Sequence, residues 1–95
     1  MFVISLTYVR PLAEADRHLQ AHKAYLDRRY AAGNFLLSGR KEPRDGGVII
    51  AVARSRQEVL DMLEDDPFRV HGIATYEVQE FTPSMARVDL THLLS

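Results

Sequence analysis

The chain contains four short segments rich in apolar and β-branched residues, a composition that favours β-strands. In residues 2–9, Phe2, Ile4, Leu6 and Tyr8 alternate with residues that would face the other side of a sheet. The other three segments are residues 35–39, 48–53 and 73–81. The sequence therefore predicts four strands, and the strand at 48–53, which is apolar on both faces, needs cover on both sides.

Two further stretches have the spacing of helices. From about residue 14 apolar positions recur every three or four residues, and Gly33 with Asn34 supplies a stop signal. A second helix is predicted to begin with a capping box, Ser55 and Glu58, and to end near residue 65. The first apolar stripe consists of Ala15, Leu19, His22, Leu26 and Tyr30, and the second of Val59, Met62 and Leu63. Because His22 lies within its stripe, we expect its imidazole to be partly buried.

The predicted order of elements is strand, helix, strand, strand, helix, strand, the βαββαβ unit of ferredoxin-like α+β folds. Right-handed crossovers would place the first and third strands at the centre of a four-stranded antiparallel sheet. Two helices can cover only one face of such a sheet. We therefore expect a second copy of the chain to cover the other face, in a symmetric homodimer of the dimeric α+β barrel type, with higher assembly left open.

The composition is that of an ordinary globular protein. A chain of 95 residues is long enough for one domain, with a core at about 2–83 and a tail at 84–95. Twelve Lys and Arg against thirteen Asp and Glu, without a basic run, argue against nucleic-acid and membrane partners. The chain has no cysteine, which excludes disulfides and thiolate chemistry. The apolar start ends at Arg10 and Pro11 with no basic segment before it, so we expect a cytoplasmic protein.

His22 and Asp66 are the residues best suited to acid–base chemistry. A neutral imidazole can take or give a proton near pH 7, and a carboxylate bonded to one ring nitrogen would orient it. The hypothesis is that these two residues, far apart in sequence, meet in one pocket. Asp66 also has a purely structural interpretation, because Asp directly before Pro67 is typical of a helix N-cap.

Other residues are candidates for binding rather than catalysis. His18 and His22 have the i, i+4 spacing of metal ligands, but no clear third ligand accompanies them, so neither a metal nor a cofactor is predicted. We expect four side chains with hydroxyl or imidazole groups to contact a small-molecule substrate, namely those of Tyr8, Tyr25, Ser38 and His71.

Several segments, taken together and in this order, resemble the YciI-like family over nearly the whole chain from Phe2 to Pro83. They are residues 22–26, 38–39, 43–51, 66–68, 72–74 and 76–78 with Phe81. The resemblance implies a dimeric ferredoxin-like fold and an active site built on a His and Asp pair, which falls on His22 and Asp66. Its relatives include an enzyme that removes chloride from a chlorinated hydroxyquinol, and its fold is similar to that of muconolactone isomerase. Arg40 stands where the family often has proline, which changes the charge expected at the pocket rim.

The sequence thus favours a small enzyme of the lyase or isomerase type, similar to a dehydrochlorinase, with a His–Asp dyad. In this hypothesis His22 acts as general base or acid, oriented by Asp66, in an elimination or isomerisation. The alternative is a non-catalytic dimeric module that binds a small ligand or regulates, in which the same two residues only stabilise the fold.

Overall fold

A computed structural model of the chain, which describes residues 1–94, contains one four-stranded antiparallel sheet. Its strands are β1 (Phe2–Tyr8), β2 (Phe35–Arg40), β3 (Gly46–Ala51) and β4 (Ala74–Glu80). They lie in the order β2-β3-β1-β4, so the first and third strands are central. The predicted α+β class, the antiparallel sheet and the strand positions are therefore confirmed.

The first predicted helix is divided into α1 (Leu12–Arg17) and α2 (Leu19–Ala31). The prediction of one continuous helix from about residue 14 was wrong in this respect. His18 leaves the helical path with φ −106 and ψ 4, and its N–H bonds to the Ala15 carbonyl three residues back at 3.1 Å. Its ring stacks on that of His71, with centroids 4.1 Å apart. Gly33, at φ +83, occurs just after α2 ends, as the sequence predicted.

The second helical region also contains two helices, α3 (Arg56–Leu63) and α4 (Pro67–Val70). The Ser55 hydroxyl accepts the Glu58 backbone N–H at 3.1 Å, which is one half of the predicted capping box. The other half does not form, because the Glu58 carboxylate accepts a bond from Arg54 instead. Strand β3 ends at Ala51, two residues earlier than predicted.

The core lies between the sheet and the helices. Phe2, Ile4 and Leu6 on β1 are buried, whereas Val3 and Ser5 between them are only half-buried. This alternation follows from the period of two along a strand. It directs the central strand's largest side chains towards the helices, among the other buried apolar residues: Ala15, Tyr25, Val59, Met62, Leu63 and Phe68.

The opposite face of the sheet carries an apolar row that no helix covers within residues 1–94. Val3 pairs with Ile50, which pairs in turn with Leu37, so that the three side chains lie side by side across β1, β3 and β2. Leu37 is 62% exposed. A second copy of the chain on this face remains the prediction made from the sequence.

After β4 the chain continues to a 3₁₀-helix, Val88–Leu93, whose apolar residues are largely exposed. Within residues 1–94, no helix has both the length and the apolar character needed to cross a membrane.

The β1–β3 contact requires a glycine at position 46, because a Cβ there would overlap the Leu6 carbonyl group. We predict that Gly46→Ala lowers the free energy of unfolding by at least about 2 kcal/mol, measured by urea denaturation, since backbone must move to relieve the clash. Gly39→Ala is the matched control, because a Cβ at Gly39 meets nothing within 4 Å. Equal stability of the two variants would contradict the close approach of the strands.

Candidate functional site

The site begins at the sharp connection between α3 and α4. Asp66 is the N-cap of α4, and Pro67 occupies the first turn, where a missing N–H costs nothing. The Asp66 Oδ1 atom accepts the Phe68 backbone N–H at 3.0 Å. The structural interpretation of Asp66 is therefore confirmed, and the cap holds its carboxylate at a fixed place beside the sheet.

His22 meets this carboxylate from α2. Its Nδ1 atom lies 2.7 Å from Asp66 Oδ1, across 44 residues of sequence. Asp66 is fully buried and His22 is 9% exposed. The structure thus brings together the two residues that were predicted to meet. Since a carboxylate can only accept hydrogen bonds, this contact favours the neutral tautomer that carries its proton on Nδ1.

Tyr76 is a third member of the group, and the sequence did not identify it as a site residue. Its hydroxyl donates to Asp66 Oδ2 at 2.6 Å from β4. Burial, together with the charge of Asp66, raises the pKa of Tyr76 far above its ordinary value, so the phenol stays protonated and remains a donor. A signal was present, because the alternation of β4 places Tyr76 on the helix-covered face, where a hydroxyl needs a partner.

Aromatic packing fixes the plane of the imidazole. The His22 and Phe68 rings stack with centroids 4.0 Å apart and planes 10° from parallel. The Tyr8 ring meets the Phe68 ring edge-on, with the two centroids 5.6 Å apart. A hydrogen bond at one atom and a stacked face together leave the His22 ring little freedom to rotate.

The second ring nitrogen of His22 is the one available to a ligand. Nε2 bonds to no protein group in residues 1–94, and no fully buried side-chain nitrogen or oxygen in that range lacks a partner. Nε2 must therefore reach solvent. His22 also lines a pocket of 460 Å³, so Nε2 is the ring nitrogen that remains available to a ligand there.

The pocket lies between the helices and the end of the sheet where the β2–β3 connection folds back. Its apolar walls are Leu6, Leu19, Leu26, Ile49 and Phe68. Its volume is within the range of small-molecule sites, and a few polar groups project into a mostly apolar lining.

The structure divides the four predicted substrate-binding residues into two pairs. Tyr8 and Ser38 line the pocket, where the Ser38 hydroxyl bonds to that of Tyr30. Tyr25 and His71 are not among the lining residues. The Tyr25 hydroxyl donates to the Met62 carbonyl at 2.8 Å, and the His71 ring stacks on His18. A binding role for any of the four remains a prediction.

The metal alternative finds no geometric support in the part of the chain described. His18 and His22 have separate partners, His71 and Asp66, and no group of three His, Cys, Asp or Glu side chains in residues 1–94 is arranged to hold an ion. What the arrangement offers is an imidazole oriented by a carboxylate beside a pocket, which suits the movement of one proton.

Two tyrosines, Tyr25 buried and Tyr76 partly buried, should make the fold sensitive to alkali. Burial, with the nearby Asp66 charge, raises the pKa of Tyr25 to about 12, and that of Tyr76 is also raised. Unfolded tyrosine loses its proton near pH 10. Above that pH the unfolded chain binds fewer protons than the folded chain, so the free energy of unfolding should fall as pH rises.

We predict this fall in urea unfolding measured from about pH 9 to about pH 11, and a shallower fall in Tyr76→Phe and Tyr25→Phe. Phenylalanine cannot ionise, so each variant removes one of the two contributions. A wild-type stability that stays constant over the interval would contradict the buried, protonated state of these phenols.

Comparison with known proteins adds a family and a related structure. No curated protein sequence matches the chain. Among solved structures it is similar to 5-chloro-2-hydroxyhydroquinone dehydrochlorinase from Burkholderia phenoliruptrix AC1100, determined in complex with 2,5-dihydroxybenzoquinone. The two share 24% identity with a TM-score of 0.72, over 86% of this chain and 94% of the other. At this identity the likeness establishes a common fold. The family model of the YCII-related domain matches residues 1–82, and the chain therefore belongs to the YCII-related domain family.

Proposed function

We propose that the protein is an enzyme that moves a proton on a small cyclic molecule, in an elimination or isomerisation without a cofactor. The observation that carries the proposal is the 2.7 Å contact between His22 Nδ1 and Asp66 Oδ1 beside a pocket of 460 Å³. Reactions of this class need one oriented base and a site with little water, and they need no covalent nucleophile.

In the proposed mechanism Nε2 of His22 takes a proton from a carbon atom of the substrate. The imidazolium that forms is stabilised by Asp66, whose charge lies against Nδ1–H. The electron pair left on the substrate then has two possible fates. In an elimination it expels a leaving group on the neighbouring atom, and in an isomerisation the proton returns to a different atom of the same molecule.

The solved relative supports the reaction class. Its name describes a dehydrochlorinase, and its structure holds a six-membered dihydroxyquinone ring. Removal of hydrogen chloride is an elimination, so one protein of this fold performs the type of chemistry proposed here. The shared fold supports the class of reaction for this chain but not its substrate. The chlorinated substrate is a property of the relative.

One observation favours a second function, a non-catalytic ligand-binding module. Asp66 caps α4 through Phe68 N–H and also binds the Tyr76 hydroxyl, so its burial would stabilise the fold without any reaction. In that case the pocket would bind a ligand and His22 would only contribute to its wall.

Hydrogen–deuterium exchange separates the two functions, because proton abstraction exchanges a substrate hydrogen even when no net product forms. We predict that the wild type catalyses exchange on at least one member of a panel of ring compounds, followed by ¹H NMR in D₂O. The panel would contain chlorinated hydroxyquinols and unsaturated lactones. His22→Gln should slow the exchange by about 10²–10⁴-fold, the usual contribution of a general base.

His18→Gln is the matched control, because it makes the same chemical change on a histidine outside the pocket. Asp66→Asn removes the charge and replaces the oxygen that accepts from Tyr76 by an NH₂ group, while its amide oxygen can still accept from Phe68 N–H and preserve the cap. It should slow exchange, and it should also lower the free energy of unfolding because the hydrogen bond from Tyr76 is lost. If panel members bind but no exchange occurs, or if His22→Gln exchanges as fast as the wild type, the binding-module function is correct.

A further inference from the structure

The pocket has a charge that differs from that of the chain as a whole. Its lining includes three cationic side chains, Lys23, Arg40 and Arg44, against one carboxylate, Asp16. The whole chain, by contrast, has a formal net charge of −1. A concave site with one sign of charge and low-dielectric walls concentrates ligands of the opposite sign.

Arg44 is held in place rather than free in solvent. Its Nη2 donates to Asp16 Oδ1, which brings the connection between β2 and β3 against α1 across 28 residues of sequence. The bond to Asp16 also raises the pKa of Arg44 above its ordinary value. A guanidinium has five N–H donors, so an Arg44 fixed through one nitrogen retains others for a ligand.

Lys23 is the cationic residue that α2 contributes to the pocket lining. Leu19, Lys23 and Leu26 follow one another at intervals of four and three residues, so they share one face of α2. All three line the pocket. Lys23 is exposed and makes no salt bridge with a carboxylate in residues 1–94, so its charge is available to a ligand. Arg40 is also exposed, with its side chain 71% accessible, but it is paired with Glu42.

Much of the remaining lining is apolar and suits a flat ring. Leu19 and Leu26 face the sheet residues Leu6 and Ile49 across the pocket, and Phe68 stacks on His22 at one side. A ligand that matches both features would have an apolar ring and an anionic oxygen group.

We infer that the pocket takes a small cyclic carboxylic acid, with Lys23 and Arg44 binding its carboxylate and the apolar walls enclosing its ring. The inference rests on the proposed function, because it names the class of molecule on which His22 would act. Placing the carboxylate on these two cations holds the ring within the pocket that His22 lines, and it makes Lys23 and Arg44 specificity-determining residues.

Benzoate and benzamide form a suitable pair of probes, because they have nearly the same shape and differ in charge. We expect benzoate to bind the wild type about tenfold tighter than benzamide, with dissociation constants taken from ¹H–¹⁵N NMR titrations at pH 7.5. Added salt should weaken benzoate binding and leave benzamide unaffected. The same spectra report whether each variant is folded.

Lys23→Gln and Arg44→Gln should each remove most of the preference for benzoate without changing the affinity for benzamide. Lys41→Gln is the matched control, because Lys41 donates to Thr7 and does not line the pocket, so the preference should persist. Equal affinity for the two probes, absence of benzoate binding at the highest soluble concentration, or an unchanged preference in both pocket variants would overturn the inference.

The test keeps the two proposals apart. His22→Gln should retain the preference for benzoate, because the carboxylate subsite does not depend on the base. Loss of the preference in the Lys23 and Arg44 variants supports the subsite whether or not exchange is catalysed. If exchange depends on His22 but benzoate is not preferred over benzamide, the proposed class of reaction is supported. Only the inference that the substrate is a carboxylic acid is then wrong.

Discussion

The fully buried carboxylate of Asp66 is the group on which the candidate site and much of the surrounding packing depend. It accepts from the backbone N–H of Phe68, the hydroxyl of Tyr76 and Nδ1 of His22. A carboxylate removed from water is costly unless its oxygens are satisfied. Because the three donors come from α4, β4 and α2, satisfying this one group ties three elements together at a single point.

The same arrangement shows why the structural and functional interpretations of Asp66 do not exclude each other. The N-cap uses Oδ1 and fixes where the carboxylate lies, and Tyr76 occupies Oδ2 from the opposite side. The second direction on Oδ1 remains, and His22 fills it. A carboxylate that the fold already holds in position needs no reorientation when charge develops on the neighbouring imidazole. It therefore stabilises that charge better than a carboxylate held by the imidazole alone.

The sequence predicted the sheet well, because alternation in β1 and the apolar character of β3 are strong local signals. It joined α1 and α2 in error, since the apolar spacing from Ala15 to Leu19 runs across His18, whereas the break accompanies a tertiary stack on His71. The His22–Asp66 pair came from family resemblance, which the family match now confirms, and spacing alone could not have paired residues 44 positions apart. The bond that fixes Arg44 to Asp16 could not be predicted either, because it depends on how the connection between β2 and β3 folds against α1.

The contact with Asp66 places the proton of the neutral His22 ring on Nδ1 and leaves the Nε2 lone pair to the pocket. The most direct test is the ¹⁵N NMR spectrum of the His22 side chain above the pH at which the ring is fully neutral, because the two nitrogens have distinct shifts in their protonated and unprotonated states. We expect a protonated Nδ1 and an unprotonated Nε2. A spectrum with the proton on Nε2 would require Asp66 to donate rather than accept, and it would contradict the proposed base.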